Sequence, residues 1–111
     1  MFRKAEFQIK NSKDGQQYFV LKAPNGETIL VSETYKSSAG VRNGIKSVMT
    51  NCKRKGAFSK FKDVSGELRF TLKAKNNKVI GQSEGYKTRF GRLIGIASVK
   101  INAPTAEIVE D

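Results

Sequence analysis

The sequence lacks histidine and tryptophan, and it has one cysteine in 111 residues. Without histidine, the chain cannot form a Ser-His or Cys-His nucleophile pair within itself. Cys52 has no second cysteine to pair with, and alone it cannot hold a zinc ion of the usual cysteine and histidine type. The sequence therefore predicts no catalytic residue, no metal site and no cofactor.

Acidic residues are also scarce, with 10 Asp and Glu against 21 Lys and Arg, a net charge of +11. No two carboxylates have the pattern of a general acid and base, so we expect a protein that is not an enzyme. Residues 1–55 carry 11 basic and 4 acidic residues, and residues 56–111 carry 10 and 6. This spread of positive charge suits a polyanion such as nucleic acid, but it also keeps a small protein in solution without a partner.

Long apolar runs are absent as well. No stretch of about 18 apolar residues occurs, so the sequence predicts no membrane-spanning helix. The basic residues near the start are not followed by the apolar stretch of a secretory signal. Because a single cysteine is typical of a reducing compartment, we expect a cytoplasmic protein.

What the chain does contain is an internal repeat, with a shift of 51 positions and no gap. Leu21-Lys22-Ala23 aligns with Leu72-Lys73-Ala74, and residues 32–36 align with residues 83–87. One half alone would bury only about 60% of its unfolded surface and would be marginally stable. We therefore expect a single pseudo-twofold domain over 1–111, made of repeat one (5–55) and repeat two (56–111) around a shared core.

Repeat one predicts three strands and a helix. Alternating apolar residues indicate strands near Phe7, Phe19 and residues 28–31, and Asp-Gly and Asn-Gly pairs predict the turns between them. Ser37 or Ser38 is the expected helix cap. The apolar stripe of this helix is Val41, Ile45, Val48 and Cys52. The helix is expected to end at Lys53-Arg54-Lys55-Gly56.

Repeat two predicts the same order, with Thr88 as the helix cap, Pro104 as its stop and an extra strand over 106–109. The apolar stripe of its helix is Leu93, Ile96, Val99 and Ala103. Its first strand is ambiguous, because Lys60 aligns with Ile9 and Phe61 points the other way. Either a bulge intervenes there or the inward face changes.

The motifs of repeat two are Leu72-Lys73-Ala74, Ser83-Glu84-Gly85-Tyr86, Gly95-Ile96-Ala97-Ser98-Val99 and Asn102-Ala103-Pro104. In this order they resemble the YegP-like family of small bacterial proteins, apart from Ile94, which replaces the Asn found at Asn43. The resemblance implies two β3-α-β units sharing one antiparallel sheet, with the helices on one face and the last strands exchanged. Residues 106–109 would pair in the first half, and part of residues 56–62 would be their counterpart. The family brings no known activity, so no functional residue carries over.

Glycines interrupt both predicted helices. Gly44 and Gly95 each cost about 1 kcal/mol relative to alanine, and close approach of a helix to the sheet or to its twin would offset this. Tyr35 and Tyr86 are expected to cover the end of the sheet. Cys52 lies on an apolar stripe, so we expect a small core residue rather than a reactive thiol.

The remaining functional signal is the basic surface. The candidate nucleic-acid-binding residues are Lys22, Lys53, Arg54, Lys55, Arg69, Lys73 and Lys75. They predict a small binding or accessory module, a monomer, that contacts nucleic acid weakly and without sequence preference. The alternative is a protein-interaction or dimerisation module that uses an exposed sheet edge or apolar patch and has no nucleic-acid role.

Overall fold

The computed structural model of the chain describes residues 4–110. It contains seven strands in one sheet and two α-helices, which confirms the predicted α+β class. The strands are β1 (Glu6–Asn11), β2 (Gln17–Lys22), β3 (Thr28–Ser32), β4 (Phe58–Lys62), β5 (Leu68–Lys73), β6 (Val79–Gln82) and β7 (Glu107–Glu110). The helices are α1 (Ser38–Asn51) and α2 (Arg89–Asn102), and a short 3-10 helix, Ala103–Thr105, follows α2. Within residues 4–110, neither α-helix has the length and apolar character needed to cross a membrane.

The strand order is β4-β5-β6-β3-β2-β1-β7. Neighbouring strands are antiparallel, as predicted, except β1 and β7, which are parallel. β7 follows α2 and the short 3-10 helix, and it runs opposite to β6, the strand before α2, and therefore parallel to β1.

The predicted exchange of last strands is not mutual among the described residues. β7 lies beside β1, in the first half of the sheet. Residues 56–62, the predicted counterpart, instead contain β4, which pairs antiparallel with β5. This segment is too short to supply an extra strand for repeat one and also the first strand of repeat two.

Both helices pack on one face of the sheet, over a single core. The predicted stripe of α1 is fully buried, and α1 contacts β5 and β6 as well as β2. In the predicted stripe of the second helix, Ile96, Val99 and Ala103 are buried, Ala103 lying just beyond the end of α2, but Leu93 is 54% exposed. Leu93 was predicted to be a core residue. It faces the β4 side of the sheet, where no further strand of the described chain covers it.

The ambiguous first strand of repeat two has a regular register. Phe58 pairs with Leu72, Lys60 with Phe70 and Phe61 with Arg69, without a bulge. Lys60 therefore stays on the helix face, and both predicted alternatives were wrong. A lysine is tolerated there because β4 is an edge strand and the long side chain reaches solvent.

The helix caps agree with the sequence. The Ser37 side chain accepts a hydrogen bond from Gly40 N at 3.0 Å, and that of Thr88 accepts one from Gly91 N at 2.9 Å. Each satisfies an amide that the helix leaves without a partner. The end of α1 differs from the prediction, because the helix ends at Asn51 and the basic residues 53–55 lie in the turn beyond it.

Candidate functional site

Arg69, a predicted nucleic-acid contact, is held by its own neighbours. Its Nε donates to Asp63 Oδ2 at 2.6 Å, and its NH1 donates to the Ser83 carbonyl at 3.0 Å. The Ser65 hydroxyl and the Arg69 guanidinium hold the pKa of the Asp63 carboxyl well below its usual range. Arg69 therefore links Asp63, in the turn between β4 and β5, to Ser83, the residue that follows β6. Its positive charge is already paired with the Asp63 carboxylate.

The other open-face candidates do not converge. Lys22 ends β2 and Lys73 ends β5, and β3 and β6 lie between these strands. Three strand spacings separate them by about 14 Å, and the two strands run in opposite directions, so the lysines lie at opposite ends of the sheet. Lys22 also lies opposite Glu6 on β1, and Lys75 is in the turn after β5.

The basic cluster after α1 divides into two roles. Arg54 donates from Nε to Asn51 Oδ1 at 3.0 Å and from NH2 to the Lys73 carbonyl at 2.8 Å, so it fastens the turn to the end of β5. Lys53 and Lys55 are exposed. They lie at the rim of a groove between β4 and α2.

This groove, which we call the β4–α2 groove, has an open volume of about 450 Å³. Its lining residues are Lys53, Arg54, Lys55, Gly56, Phe58, Lys60, Leu93, Ile96 and Lys100. Phe58, Leu93 and Ile96 are apolar, and the Lys100 ammonium lies 5.6 Å from the centre of the Phe58 ring. The groove thus combines an apolar lining with a cationic rim. No acidic side chain is among the lining residues.

A second set of cations continues the rim along α2. Arg89, Arg92 and Lys60 surround Phe90 and Leu93 in an adjoining depression. Arg92 NH1 donates to the Phe61 carbonyl at 3.2 Å, which ties α2 to the end of β4.

The outward surface of α2 carries a row of apolar side chains. Phe90, Ile94, Ala97 and Ile101, here called the α2 outer stripe, recur at helical spacing. Phe90 is 70% exposed and Ile101 73%. The positions 51 residues earlier, on α1, are Ala39, Asn43, Lys46 and Thr50. The predicted core stripe missed this surface, although a position-by-position comparison of the two helices would have revealed it.

The edge of β4 offers backbone groups for pairing. Lys73 N donates to Ala57 O at 2.8 Å, so Ala57, just before β4, forms a hydrogen-bonded pair with Lys73 of β5. In an antiparallel ladder such pairs alternate, and the amide groups of Phe58 and Lys60 therefore point away from β5. The corresponding groups of β1 face β7. Phe7 is accordingly completely buried, whereas Phe58 is half-buried.

Ser32 and Ser83, which recur in the two halves, have structural partners. The Ser32 and Ser83 hydroxyls accept from Phe19 N and Phe70 N, at 2.8 and 2.9 Å.

Burial raises the pKa of the Cys52 thiol, and its side chain is completely enclosed. Within residues 4–110, no group of three or more potential metal ligands occurs.

Residues 12–56 and 63–110 each match the family described as Domain of unknown function (DUF1508). The chain belongs to this family. The UPF0339 protein YegP of Escherichia coli O6:H1 is 46% identical over 105 residues, which are 95% of this chain and 94% of that protein. The UPF0339 protein PA0329 of Pseudomonas aeruginosa is 42% identical over 107 residues, or 96% and 97%.

Two solution structures have the same fold. The E. coli protein of unknown function yegP superposes with a TM-score of 0.91 at 40% identity, covering all of this chain and 96% of that chain. The UPF0339 protein SO3888 of Shewanella oneidensis gives 0.89 at 38% identity, covering 96% and 91%. The family is uncharacterised, so it assigns no residue of this chain a role.

Proposed function

We propose that this protein is a non-enzymatic module that docks a protein partner on the β4–α2 groove and the α2 outer stripe. The observation that carries the proposal is the difference between the two ends of the sheet. At one end β7 covers the edge of β1 and buries Phe7. At the other end no described strand covers the edge of β4, Phe58 is only half-buried, and Phe90, Leu93, Ile94 and Ile101 of α2 are exposed.

The exposed apolar side chains favour a protein partner. Burying one large apolar side chain is worth about 1.5–3 kcal/mol, and contiguous apolar patches on monomers commonly mark interaction sites. Phe90, Ile94 and Ile101 are exposed, whereas α1 has the smaller or polar residues Ala39, Asn43 and Thr50 at the corresponding positions.

Nucleic acid remains the competing candidate because of the cationic rim. Lys53 and Lys55 belong to that rim, together with Lys60 and Lys100, and a polyanion would be attracted to them. A bound polyanion would leave the α2 outer stripe and the outward-pointing amides of β4 without partners. We therefore favour protein and treat nucleic acid as an outcome of the test.

We also propose that the whole chain acts as one pseudo-twofold, monomeric domain, with repeats 5–55 and 56–111. Contacts recur 51 positions apart, as in the Ser37 and Thr88 caps. They recur again in the Asn51 and Asn102 side chains, which donate to the carbonyls of Ser47 and Ser98, both at 2.9 Å. The β4–α2 groove has no equivalent in the first half, because β7 occupies the corresponding place beside β1.

Site-specific photo-crosslinking in cells tests the docking proposal. A benzoylphenylalanine replaces Ile94 on the α2 outer stripe or, as the matched control, Asn43 on α1. We expect a defined polypeptide adduct from position 94 alone, identified by mass spectrometry and lost when Phe90→Ala and Ile101→Thr give α2 the residues of α1. Equal adducts from both positions, or none, would refute the proposal. An adduct that nuclease removes would assign the surface to nucleic acid instead.

A further inference from the structure

We infer that the partner segment is an extended acidic and apolar stretch, of the pattern Glu-Ile-x-Glu, that adds to the sheet as an eighth strand parallel to β4. This inference rests on the proposed docking function and names the chemistry of the partner. The chain itself contains the template, because β7 already binds β1 in this way.

The template pairing is defined in detail. Glu107 lies beside Glu6 and Glu110 beside Ile9, and Glu107 N donates to Ala5 O at 3.0 Å. Two ion pairs flank the strand. They join Lys4 Nζ to Glu107 Oε1 at 3.5 Å and Arg42 NH2 to Glu110 Oε1 at 3.2 Å. A short acidic strand is thus held by backbone bonds and by a cation near each end.

Moving this register by 51 positions places the same strand at the edge of β4. Its first Glu would lie beside Ala57 and near Lys55, which corresponds to Lys4. Its Ile would lie beside Phe58. Its last Glu would lie beside Lys60, which corresponds to Ile9.

The cation next to the last Glu comes from the helix in the first half and would come from the strand in the second. Arg42 of α1 corresponds to Leu93 of α2, so the helix loses the cation that holds Glu110. Lys60 supplies a cation from the strand instead, and Leu93 adds apolar surface next to Phe58. The groove therefore fits an acidic residue and an apolar one together.

The backbone requirements are also met. The outward carbonyl and amide groups of Phe58 and Lys60 can make the ladder bonds that Phe7 and Ile9 make in the first half. Main-chain bonds of this kind give affinity in strand addition, and alternate side chains give selectivity.

Charge argues against a second copy of the chain as the occupant. Each chain carries a net charge of +11, and the rim of the groove is cationic, so two copies would repel each other. The acidic segment 107–110 is already held beside β1. A separate partner with an acidic, extended stretch satisfies both the charge and the vacant edge.

The test titrates isotope-labelled protein with the blocked peptide Ala-Pro-Thr-Ala-Glu-Ile-Val-Glu, the sequence of residues 103–110, observed by NMR. We expect the largest amide shifts at Gly56, Phe58 and Lys60. Replacing both Glu of the peptide with Lys should abolish the shifts. Lys60→Glu should weaken binding about tenfold, and the matched Lys46→Glu on α1 should change it less than about twofold.

Four results would overturn the inference. They are an absence of shifts at millimolar peptide, shifts confined to β1 as the peptide displaces β7, dimerisation through the β4 edge in sedimentation experiments, and displacement of the peptide by a single-stranded oligonucleotide. No peptide binding together with specific crosslinks at Ile94 would reject the strand mode and leave the docking function standing. Peptide binding without those crosslinks would support strand addition at the β4 edge and reject docking on the α2 outer stripe.

Discussion

The ring of Tyr86 fills the space that a side chain at Gly95 would need. A Cβ built on Gly95 would lie 2.6 Å from Tyr86 Cζ, and one on Gly44 would lie 2.6 Å from Tyr35 Cζ. Tyr86 stacks on Phe70 with the ring centres 6.3 Å apart. The mid-helix glycines thus admit a tyrosine ring against the helix. At Gly44 the close approach to the sheet that the sequence suggested is also present, because a Cβ there would lie 3.1 Å from Phe19 Cε2.

Gly95→Ala should therefore destabilise the protein, although alanine is the better helix former. Overpacking costs about 1–3 kcal/mol, and helix propensity returns about 1 kcal/mol, so we expect a net loss of up to about 2 kcal/mol in the free energy of unfolding. Urea denaturation measures it.

The control for this substitution removes the ring. In a Tyr86→Ala background the space is vacant, and Gly95→Ala should then stabilise the protein by about 1 kcal/mol through helix propensity. The same sign in both backgrounds would show that Tyr86 is not the reason for the glycine.

Leu30 and Gly81 are corresponding residues that share the middle of the sheet. β3 pairs with β6 there, and a Cβ on Gly81 would lie 2.9 Å from the Val31 carbonyl oxygen and 3.0 Å from Leu30 Cγ. Leu30 is completely buried. The central position has room for one side chain, and the two halves differ there for that reason.

Gly81→Ala should lower the free energy of unfolding by about 1–3 kcal/mol, because the first obstacle is backbone in a central strand. The matched control is Gly85→Ala, where the added carbon meets the Glu67 side chain, whose carboxylate can turn toward solvent. The corresponding residue in the first half, Thr34, already carries a side chain. Equal losses for the two variants in thermal or urea unfolding would contradict this account.

The sequence predicts those parts of the fold that depend on local pattern. Strand alternation, the Ser37 and Thr88 caps and the buried stripe of α1 follow from residue spacing, and the structure has them. Periodicity does not show whether a neighbour covers a side chain, so Leu93 was misplaced. The partners of Arg69 depend on the strand pairing that brings Asp63 and Ser83 to it.

The predicted nucleic-acid site stays a prediction, and the structure separates some of its residues for a similar reason. Alternation identifies Lys22 and Lys73 correctly as open-face residues, but the strand order separates β2 from β5. The β4–α2 groove depends on β7 joining β1 instead of β4, which a single half of the sequence does not indicate. Of the predicted cations, Lys53, Arg54 and Lys55 line that groove.

The Asp63–Arg69 pair predicts a dependence of stability on pH. The pKa of Asp63 is lowered in the folded protein by the Ser65 hydroxyl and by Arg69. The folded state therefore takes up this proton less readily than the unfolded state, and the pair stabilises the protein fully above the ordinary carboxyl pKa of about 4. The contribution is lost as the pH falls below that value toward the lowered pKa. Asp63→Asn should thus be less stable than the wild type near neutral pH, with the difference shrinking on acidification.

Asp14 provides the comparison for Asp63 in the first half. Its pKa is also lowered, mainly by the Ser12 hydroxyl, but Tyr18 stands where the second half has Arg69. In an NMR titration of side-chain carboxyls, Arg69→Gln should raise the pKa of Asp63 and leave that of Asp14 unchanged. An unchanged Asp63 would show that the arginine contributes nothing.

Cys52 should be inert in the folded protein. Its side chain is completely buried and burial raises the pKa of its thiol, so little thiolate forms at neutral pH and reagents have no access. Modification by Ellman's reagent should be at least about a hundredfold slower in the native protein than in urea, since it requires opening of the structure. Cys52→Ala should cost only about 1 kcal/mol, because Ala103 occupies the corresponding place. Immediate, complete modification of native protein would contradict the core role.

Residues 1–55 should not fold cooperatively by themselves. α1 packs against β5 and β6 of the second half as well as β2, and β7 covers the edge of β1 and completes the burial of Phe7. Removing residues 56–111 exposes these surfaces, and a chain of about 50 residues has little other core to offset its conformational entropy. The full chain should therefore melt in one transition by calorimetry, whereas the isolated half should show weak amide dispersion and no transition. A folded, monomeric 1–55 with its own melting transition would mean that the two halves are independent units, and the unequal sheet edges would then not arise from one shared body.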